Sequence, residues 1–129
     1  MSNYRKKFIV KPDSKVRLKH FDPGYHGKHE SHKSPLLEIQ KNLQKMDQLQ
    51  YRMYAENKHS LLIVLQGLDA AGKDGTIRHV MSGVNPQGVS VHSFKVPSSE
   101  ELDHDYFWRF AQRLPGRGEI GIFNRSYYE

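Results

Sequence analysis

The segment Gly67-Leu68-Asp69-Ala70-Ala71-Gly72-Lys73 has the residue types and spacing of a phosphate-binding loop. It fits the pattern G-x-x-x-x-G-K, in which glycines let backbone N–H groups approach phosphate oxygens closely. Lys73 can place its ammonium against the outer phosphates, and the amino end of a following helix adds partial positive charge. The pattern therefore predicts a phosphate-binding site.

Two acidic residues, Asp69 and Asp74, set this loop apart from the simplest form of the pattern. The position after the lysine is usually Ser or Thr, whose hydroxyl binds Mg²⁺, but here it is Asp74. Carboxylates repel bound phosphates unless they meet a metal, so either acid is a candidate to hold Mg²⁺, which prefers oxygen ligands. Asp69 is also a candidate to orient the attacking phosphate oxygen. The alternative for Asp74 is a helix N-terminal carboxylate stabilised by the helix dipole.

A second candidate segment, Ile120-Gly121-Ile122-Phe123-Asn124, has the form of an apolar strand that ends at a polar residue. Such strands commonly end at an acid, whereas Asn124 can orient a metal-bound water or a phosphate without adding negative charge. Arg125 follows, and its guanidinium can bind a phosphate through two parallel hydrogen bonds. Because ligands gather at the carboxyl ends of parallel strands, we expect Asn124 and Arg125 to lie beside the loop.

The hydropathy pattern predicts the elements that position these residues. The unbroken apolar run Leu61–Leu65 is typical of a strand buried on both faces, as in a parallel sheet. After the loop we predict a helix over residues 73–82, a turn at 85–88, and further strands over 88–96 and 119–123. Alternation of strands and helices predicts an α/β fold with right-handed crossovers.

Two helices are predicted from apolar stripes. The first has Ser34 as N-cap and Pro35 as first helical residue and runs to about Glu56. Its stripe is Leu36, Ile39, Leu43, Met46, Leu49 and Met53. The second starts at a capping box of Ser98 and Glu101. Its stripe has a period of four and is made of Leu102, Tyr106, Phe110 and Leu114.

Charge and composition divide the chain into a basic arm, residues 1–34, and a body, residues 35–129. The net charge of +6 arises in the arm, which has nine basic and three acidic side chains, while the body is balanced. A basic arm attracts polyanions; the alternative is a solubilising tail. His26, His29 and His32 are spaced as in a metal-binding tract, but an irregular linker with the turn Asp22-Pro23-Gly24 is the preferred interpretation.

The absence of cysteine excludes a disulfide framework and a thiol nucleophile. The longest near-continuous apolar run, Leu61–Leu65, is too short to span a bilayer. We therefore expect a cytoplasmic protein with no membrane partner.

Five segments together resemble the polyphosphate kinase 2 family of P-loop kinases. These are GLDAAGKDGTIRHV (67–80), NPQGV (85–89), VPSSEEL (96–102), DYFWR (105–109) and GEIGIFNRSYYE (118–129). Phe21-Asp22-Pro23 and the helix from Pro35 also resemble the lead-in of that family. Asp74 belongs to this family's form of the loop. The resemblance implies reversible, Mg²⁺-dependent phosphoryl transfer between inorganic polyphosphate and a nucleotide, ADP/ATP or AMP, with GDP as a further option.

The resemblance also implies residue roles. Asp69 matches the loop acid that handles metal and phosphate acceptor, Lys73 the phosphate-binding lysine, and Arg125 a phosphate ligand. Many members have Asp where Asn124 stands, so Asn124 marks a branch of the family. Glu129 matches an acid near the site and is a further candidate for the metal. The expected phosphate- and nucleotide-binding residues are Gly67, Leu68, Ala70, Ala71, Gly72, Lys73, Asp74, Gly75, Thr76, Asn124 and Arg125.

The family is about twice as long as this chain, so we expect an N-terminal half that lacks two strands and a lid, and whose activity on its own is open. With the usual kinase strand order, the three strands pair as 2-3-1, and the loop strand lies at an open, apolar edge. The resemblance further implies a homo-oligomer for the full-length protein, and we do not expect nucleic acid as a partner. Two alternatives stay open: another P-loop nucleoside or nucleotide kinase, and a non-catalytic polyanion-binding fragment.

Overall fold

The structure, a computed structural model, describes Lys6, residues 8–25 and residues 34–128. The chain divides into two compact units, Met1–Ile39 and Gln40–Glu129. In the first unit, a 3₁₀ turn covers Leu18–His20, and the Asp22 carboxylate accepts a hydrogen bond from the Gly24 N–H at 2.8 Å. The predicted turn at Asp22-Pro23-Gly24 is thereby confirmed. The predictions for His26, His29, His32 and Glu129 lie outside the described residues.

The helices and strands alternate largely as the sequence predicts. In chain order they are α1 (Ser34–Glu56), β1 (Leu61–Leu65), α2 (Lys73–Val80), β2 (Val89–Ser93), α3 (Ser99–Leu102), α4 (Trp108–Ala111) and β3 (Ile120–Asn124). Further 3₁₀ turns cover Met81–Gly83 and Pro86–Gly88. No helix in the described part of the chain has the length and apolar character needed to cross a membrane.

The three strands form a parallel sheet in the order β1-β3-β2. This confirms the predicted order 2-3-1 and the α/β fold. In the register of the sheet, Asn124 at the end of β3 lies between Leu65 of β1 and Ser93 of β2. The carboxyl ends of all three strands therefore meet at one edge, which is the edge from which the loop leaves β1.

The core centres on β3, whose five residues are all buried. The Phe123 ring packs edge-on against Phe94 with ring centroids 4.9 Å apart, and Phe94 contacts Phe110 at 4.4 Å. Gly121 allows a close approach at β3, because a Cβ there would lie 2.9 Å from Cδ of Pro115. These contacts hold the central strand, and with it Asn124, in a rigid position.

The prediction that β1 is buried on both faces is wrong in this structure. Leu61 is 45% exposed, and Leu62 and Val64 are also exposed. Within the described residues β1 has a neighbouring strand on one side only, as the predicted strand order requires. The apolar run therefore indicated the strand correctly but not its burial.

The prediction of one helix after Ser98 is also wrong. The capping box of Ser98 and Glu101 is confirmed, but α3 ends at Leu102 and α4 begins at Trp108. The Asp105 carboxylate accepts a hydrogen bond from the Phe107 N–H at 2.9 Å, a local turn that competes with a continuous helix. Of the four residues in the predicted stripe, Phe110 is buried, whereas Leu102, Tyr106 and Leu114 are exposed.

Two other elements end earlier than predicted. The helix predicted over 73–82 is α-helical to Val80 and then tightens into the 3₁₀ turn Met81–Gly83. The strand predicted over 88–96 ends at Ser93, so the residues that follow it are part of the wall of a cleft described below.

Candidate active site

The loop between β1 and α2 has the strand–loop–helix context that the sequence predicts. Gly72 caps α2 in the left-handed region, with φ of 82°, and Ala70 also has a positive φ of 61°. Gly72 adopts this conformation at little cost because it has no Cβ. Its carbonyl accepts hydrogen bonds from the Thr76 N–H at 2.9 Å and the Thr76 hydroxyl at 3.0 Å. The start of α2 is thus tied to the loop.

The ammonium group of Lys73 lies against the loop that precedes it. Its Nζ donates hydrogen bonds to the carbonyl oxygens of Gly67 at 2.7 Å and of Leu68 at 3.0 Å. The side chain of Leu68 itself points to solvent and is 86% exposed. The ammonium is therefore positioned by the backbone of the loop.

Asn124 lies at the buried end of the central strand and contacts the start of α2. The residue is 8% exposed. Its Nδ2 donates a hydrogen bond to Oδ1 of Asp74 at 2.5 Å and lies 3.4 Å from the Ser93 hydroxyl. Its Oδ1 is a buried acceptor with no hydrogen-bond partner among the described residues.

Arg125 turns back from the end of β3 toward the loop. It has a left-handed φ of 73°, and its N–H donates to the carbonyl oxygen of Leu65 at 3.0 Å. The guanidinium forms an ion pair with the carboxylate of Asp69. The structure thus brings together the two segments that the sequence singled out, through Arg125 with Asp69 and Asn124 with Asp74.

These residues line a cleft with a volume of about 1190 Å³. Its walls include the loop residues 69–75 together with Asn124 and Arg125, whereas Gly67, Leu68 and Thr76 do not line it. Residues that the sequence analysis did not select complete the cleft. They are chiefly Ser93, Lys95, Tyr106, Arg109 and Tyr127.

Arg109 is the most enclosed of these additional residues, with a side chain 12% exposed. Its guanidinium lies 5.3 Å from the centre of the Phe94 ring, and it donates a hydrogen bond to the carbonyl oxygen of Lys95 at 3.0 Å. Its Nε lies 3.3 Å from Oε1 of Glu101. Arg109 thereby ties the end of β2 to α3. The sequence feature that could have identified Arg109 is its position at the end of the segment DYFWR (105–109).

Tyr127 lines the cleft as part of an aromatic group. Its ring lies 5.3 Å from that of Phe107 and 5.7 Å from that of Phe110. Its hydroxyl donates to the Tyr128 hydroxyl at 3.3 Å, and this hydrogen bond, with a smaller effect of burial, raises the pKa of Tyr127. The cleft is therefore lined by both charged and aromatic side chains.

The parallel sheet, with its glycine loop leading from β1 into a helix, defines a P-loop kinase-like fold. The family profile described as Polyphosphate kinase 2 (PPK2) matches residues 27–129. The chain belongs to the polyphosphate kinase 2 family.

Individual relatives agree with this assignment. The chain is 50% identical over 125 residues to an AMP/ADP-polyphosphate phosphotransferase of Meiothermus ruber, covering 96% of this chain and 47% of the relative. It is also 50% identical over 128 residues to an ADP-polyphosphate phosphotransferase of Rhodopseudomonas palustris, covering 96% of this chain and 43% of the relative. The chain thus spans somewhat less than half the length of these curated relatives.

A solved structure shows the same fold. The crystal structure of polyphosphate kinase 2 from Arthrobacter aurescens TC1 superposes with a TM-score of 0.80 at 34% sequence identity. The match covers 92% of this chain and 44% of that one. The sheet order and the flanking helices described above therefore agree with those of a family member.

Proposed function

We propose that this chain acts in Mg²⁺-dependent, reversible phosphoryl transfer between inorganic polyphosphate and a nucleotide, with AMP or ADP as acceptor. The observation that carries the proposal is that Lys73 and Arg125 line the same cleft and that each is bonded to the loop. Two cations at one cleft suit a substrate that is a chain of phosphates. The names of the relatives from Meiothermus ruber and Rhodopseudomonas palustris support polyphosphate and adenine nucleotides as substrates.

In this proposal the protein contributes positioning and charge, which are what phosphoryl transfer requires. The Lys73 ammonium, held over the loop, binds the outer phosphates. Arg125 orients the phosphoryl group in transfer, and Asp69 holds the guanidinium in place until phosphate arrives.

The oxygen atoms at this edge fit Mg²⁺, which binds through one or two carboxylates and takes its other ligands from water and substrate phosphates. Asp69 and Asp74, which both line the cleft, are the candidate ligands. No group of three His, Cys, Asp or Glu side chains within the described ranges has the arrangement of a metal cage, and this way of binding does not need one. When bound, the ion neutralises the charge that develops on the transferred phosphoryl group.

The proposal keeps the other expectations from the sequence. The cysteine-free composition favours a cytoplasmic location, and the family resemblance favours a homo-oligomer. The basic arm of residues 1–34 remains a candidate to attract polyphosphate, separate from the kinase domain of residues 35–129.

The experiment measures nucleotide formation from AMP or ADP with polyphosphate and Mg²⁺, using the wild-type chain, Lys73→Ala and the control Lys58→Ala. Lys58 is exposed and does not line the cleft. We expect turnover that Lys73→Ala abolishes and Lys58→Ala retains. Turnover that survives Lys73→Ala contradicts the proposed role of the loop. Binding of polyphosphate without turnover, weakening steeply with salt, contradicts an enzymatic function for this chain.

A further inference from the structure

We infer that Asp74 and Asn124 are a reciprocal pair, in which the helix after the loop supplies the carboxylate and the central strand supplies the amide, and that Asp74 is the carboxylate ligand for the divalent cation. The inference rests on the proposed function and states which carboxylate of the site binds the cation. Asn124 acts through Asp74 as a positioning residue.

The first step is that two departures from the usual loop and strand patterns contact each other. The loop has an acid where a hydroxyl is usual, and β3 ends in an amide where an acid is usual. The Nδ2 of Asn124 and Oδ1 of Asp74 are 2.5 Å apart. Because the two departures change the charge in opposite directions, these two positions together retain one carboxylate, which is carried by α2 instead of β3.

The second step is that the two acids of the loop have different partners. Asp69 is ion-paired with the guanidinium of Arg125, so its charge is already compensated by a cation. Asp74 is held by the neutral amide of Asn124. Within the described part of the site, the ion pairs are Arg125 with Asp69 and Arg109 with Glu101, and neither involves Asp74. Asp74 is also an exposed residue that lines the cleft, so a cation that enters the cleft can reach it.

The third step concerns the orientation of the amide. A carboxylate accepts hydrogen bonds and does not donate them when ionised, so the Nδ2 of Asn124 must face Asp74 and the Oδ1 must face away. That Oδ1 is buried and has no partner within the described residues. A buried acceptor without a partner is costly, and the amide keeps this orientation because its Nδ2 donates to the Asp74 carboxylate.

The charge balance of the pair leads to a reciprocal test. In Asp74→Asn the pair has two amides and no charge. In Asn124→Asp two carboxylates face each other at hydrogen-bond distance, which disfavours ionisation of both. The double variant Asp74→Asn/Asn124→Asp restores one carboxylate and one amide in exchanged places. A reciprocal pair therefore predicts two impaired single variants and a restored double variant.

The experiment measures the affinity for Mn²⁺ in the presence of inorganic triphosphate by electron paramagnetic resonance, which reports free Mn²⁺ without requiring turnover. We expect each single variant to bind Mn²⁺ about 10-fold more weakly or worse, and the double variant to recover most of that loss. Urea unfolding is measured in parallel. We expect Asn124→Asp to be the least stable of the variants, and the double variant to unfold near the wild-type midpoint.

Two further variants make the result decisive. Asp103→Asn, an exposed acid that does not line the cleft, controls for the loss of one negative charge and should leave Mn²⁺ affinity unchanged. Asp69→Asn tests the competing assignment. The inference is overturned if Asp74→Asn binds Mn²⁺ like the wild type, if Asp69→Asn alone removes binding, or if the double variant is as impaired as the worse single variant. If the pair behaves as expected while the Lys73 experiment shows no turnover, the proposed reaction fails and the pair stands.

Discussion

The guanidinium of Arg125, the first residue after β3, forms an ion pair with the carboxylate of Asp69 in the loop that follows β1. The two residues are 56 positions apart in sequence. The pair is positioned by backbone contacts, since Arg125 adopts a left-handed φ and its N–H bonds to Leu65 at the end of β1. The carboxyl ends of two neighbouring strands thereby hold one anion and one cation at the mouth of the cleft.

Arg125→Ala is expected to impair phosphoryl transfer much more than folding. The Asp69 side chain is 83% exposed and that of Arg125 37%, so the ion pair contributes little to stability, at most about 1 kcal/mol. Loss of one positioned donor to a developing charge lowers kcat by about 100-fold. Turnover with polyphosphate and urea unfolding measure the two effects, with the exposed Arg117→Ala as control. A large loss of stability without a loss of turnover would contradict a phosphate-binding role.

Gln50 is expected to be a main stabilising contact between α1 and the turn before β2. The residue is 4% exposed. Its Nε2 donates to the Asn85 carbonyl oxygen at 2.8 Å, and its Oε1 accepts from the Asn85 N–H at 2.9 Å. Gln50→Leu leaves both backbone groups unpaired and should lower the free energy of unfolding by about 2 kcal/mol. Urea unfolding tests this against the exposed Gln48→Leu, and equal midpoints for the two variants would refute it.

The two glycines that flank Lys73-Asp74 are expected to respond oppositely to alanine. Gly72 has a φ of +82°, so Gly72→Ala introduces backbone strain of about 1 kcal/mol although the space is open. Gly75 lies within α2 without a positive φ, and a Cβ there contacts nothing within 4 Å. Gly75→Ala should therefore stabilise the protein by up to about 1 kcal/mol. Thermal unfolding of both variants measures the contrast, and a shift of the same sign in both would contradict the assigned conformations.

His92 is expected to make the protein less stable in mild acid. Partial burial and, to a smaller degree, the nearby Arg113 cation lower the pKa of His92 from its ordinary value of 6.5. The unfolded chain then binds a proton more readily than the folded protein, so the free energy of unfolding falls as the pH is lowered through that value and the loss is absent above it. We expect His92→Gln to reduce the fall in Tm between pH 7.5 and pH 5.5 (both about one unit from 6.5).

The control for this measurement is His79→Gln, which removes an imidazole at an exposed position of α2. If His92→Gln shows the same dependence of Tm on pH as the wild type, the contribution of His92 is refuted.

The edge of the sheet at β1, which has no second neighbouring strand among the described residues, is expected to cause self-association of this chain. Leu61 donates its N–H to Glu119 and Leu65 accepts from Arg125, so the alternate residues Leu62 and Val64 direct their backbone groups to the outer side. Both also expose apolar side chains. Leu62→Lys, a charge on an edge strand, should lower the light scattering of concentrated samples. Leu37→Lys, which removes an apolar residue that is 69% exposed elsewhere, is the control. Equal scattering of Leu62→Lys and wild type would argue against edge pairing.

The sequence by itself determined the loop and the strands, because each depends on local spacing, whereas the order of the strands came from the resemblance to kinases. Glycines and a lysine at fixed positions between an apolar run and a helix are sufficient to indicate a phosphate-binding loop. The capping box at Ser98 was predictable for the same reason, since Ser98 and Glu101 contact each other directly.

The tertiary structure decided which side chains meet across the sheet, because those contacts depend on register and not on spacing. Asn124 reaches Asp74, and Arg125 reaches Asp69, only because β3 lies next to β1 with Leu65 opposite Asn124. The error after Ser98 has a local cause instead, because the hydrogen bond from the Phe107 N–H to the Asp105 carboxylate divides the stretch that the period-four stripe indicated as one helix. Arg109 lines the cleft because its guanidinium packs on the rings of Phe94 and Phe110. Local pattern thus determined the elements and the chemistry they carry, and packing around β3 determined the partners.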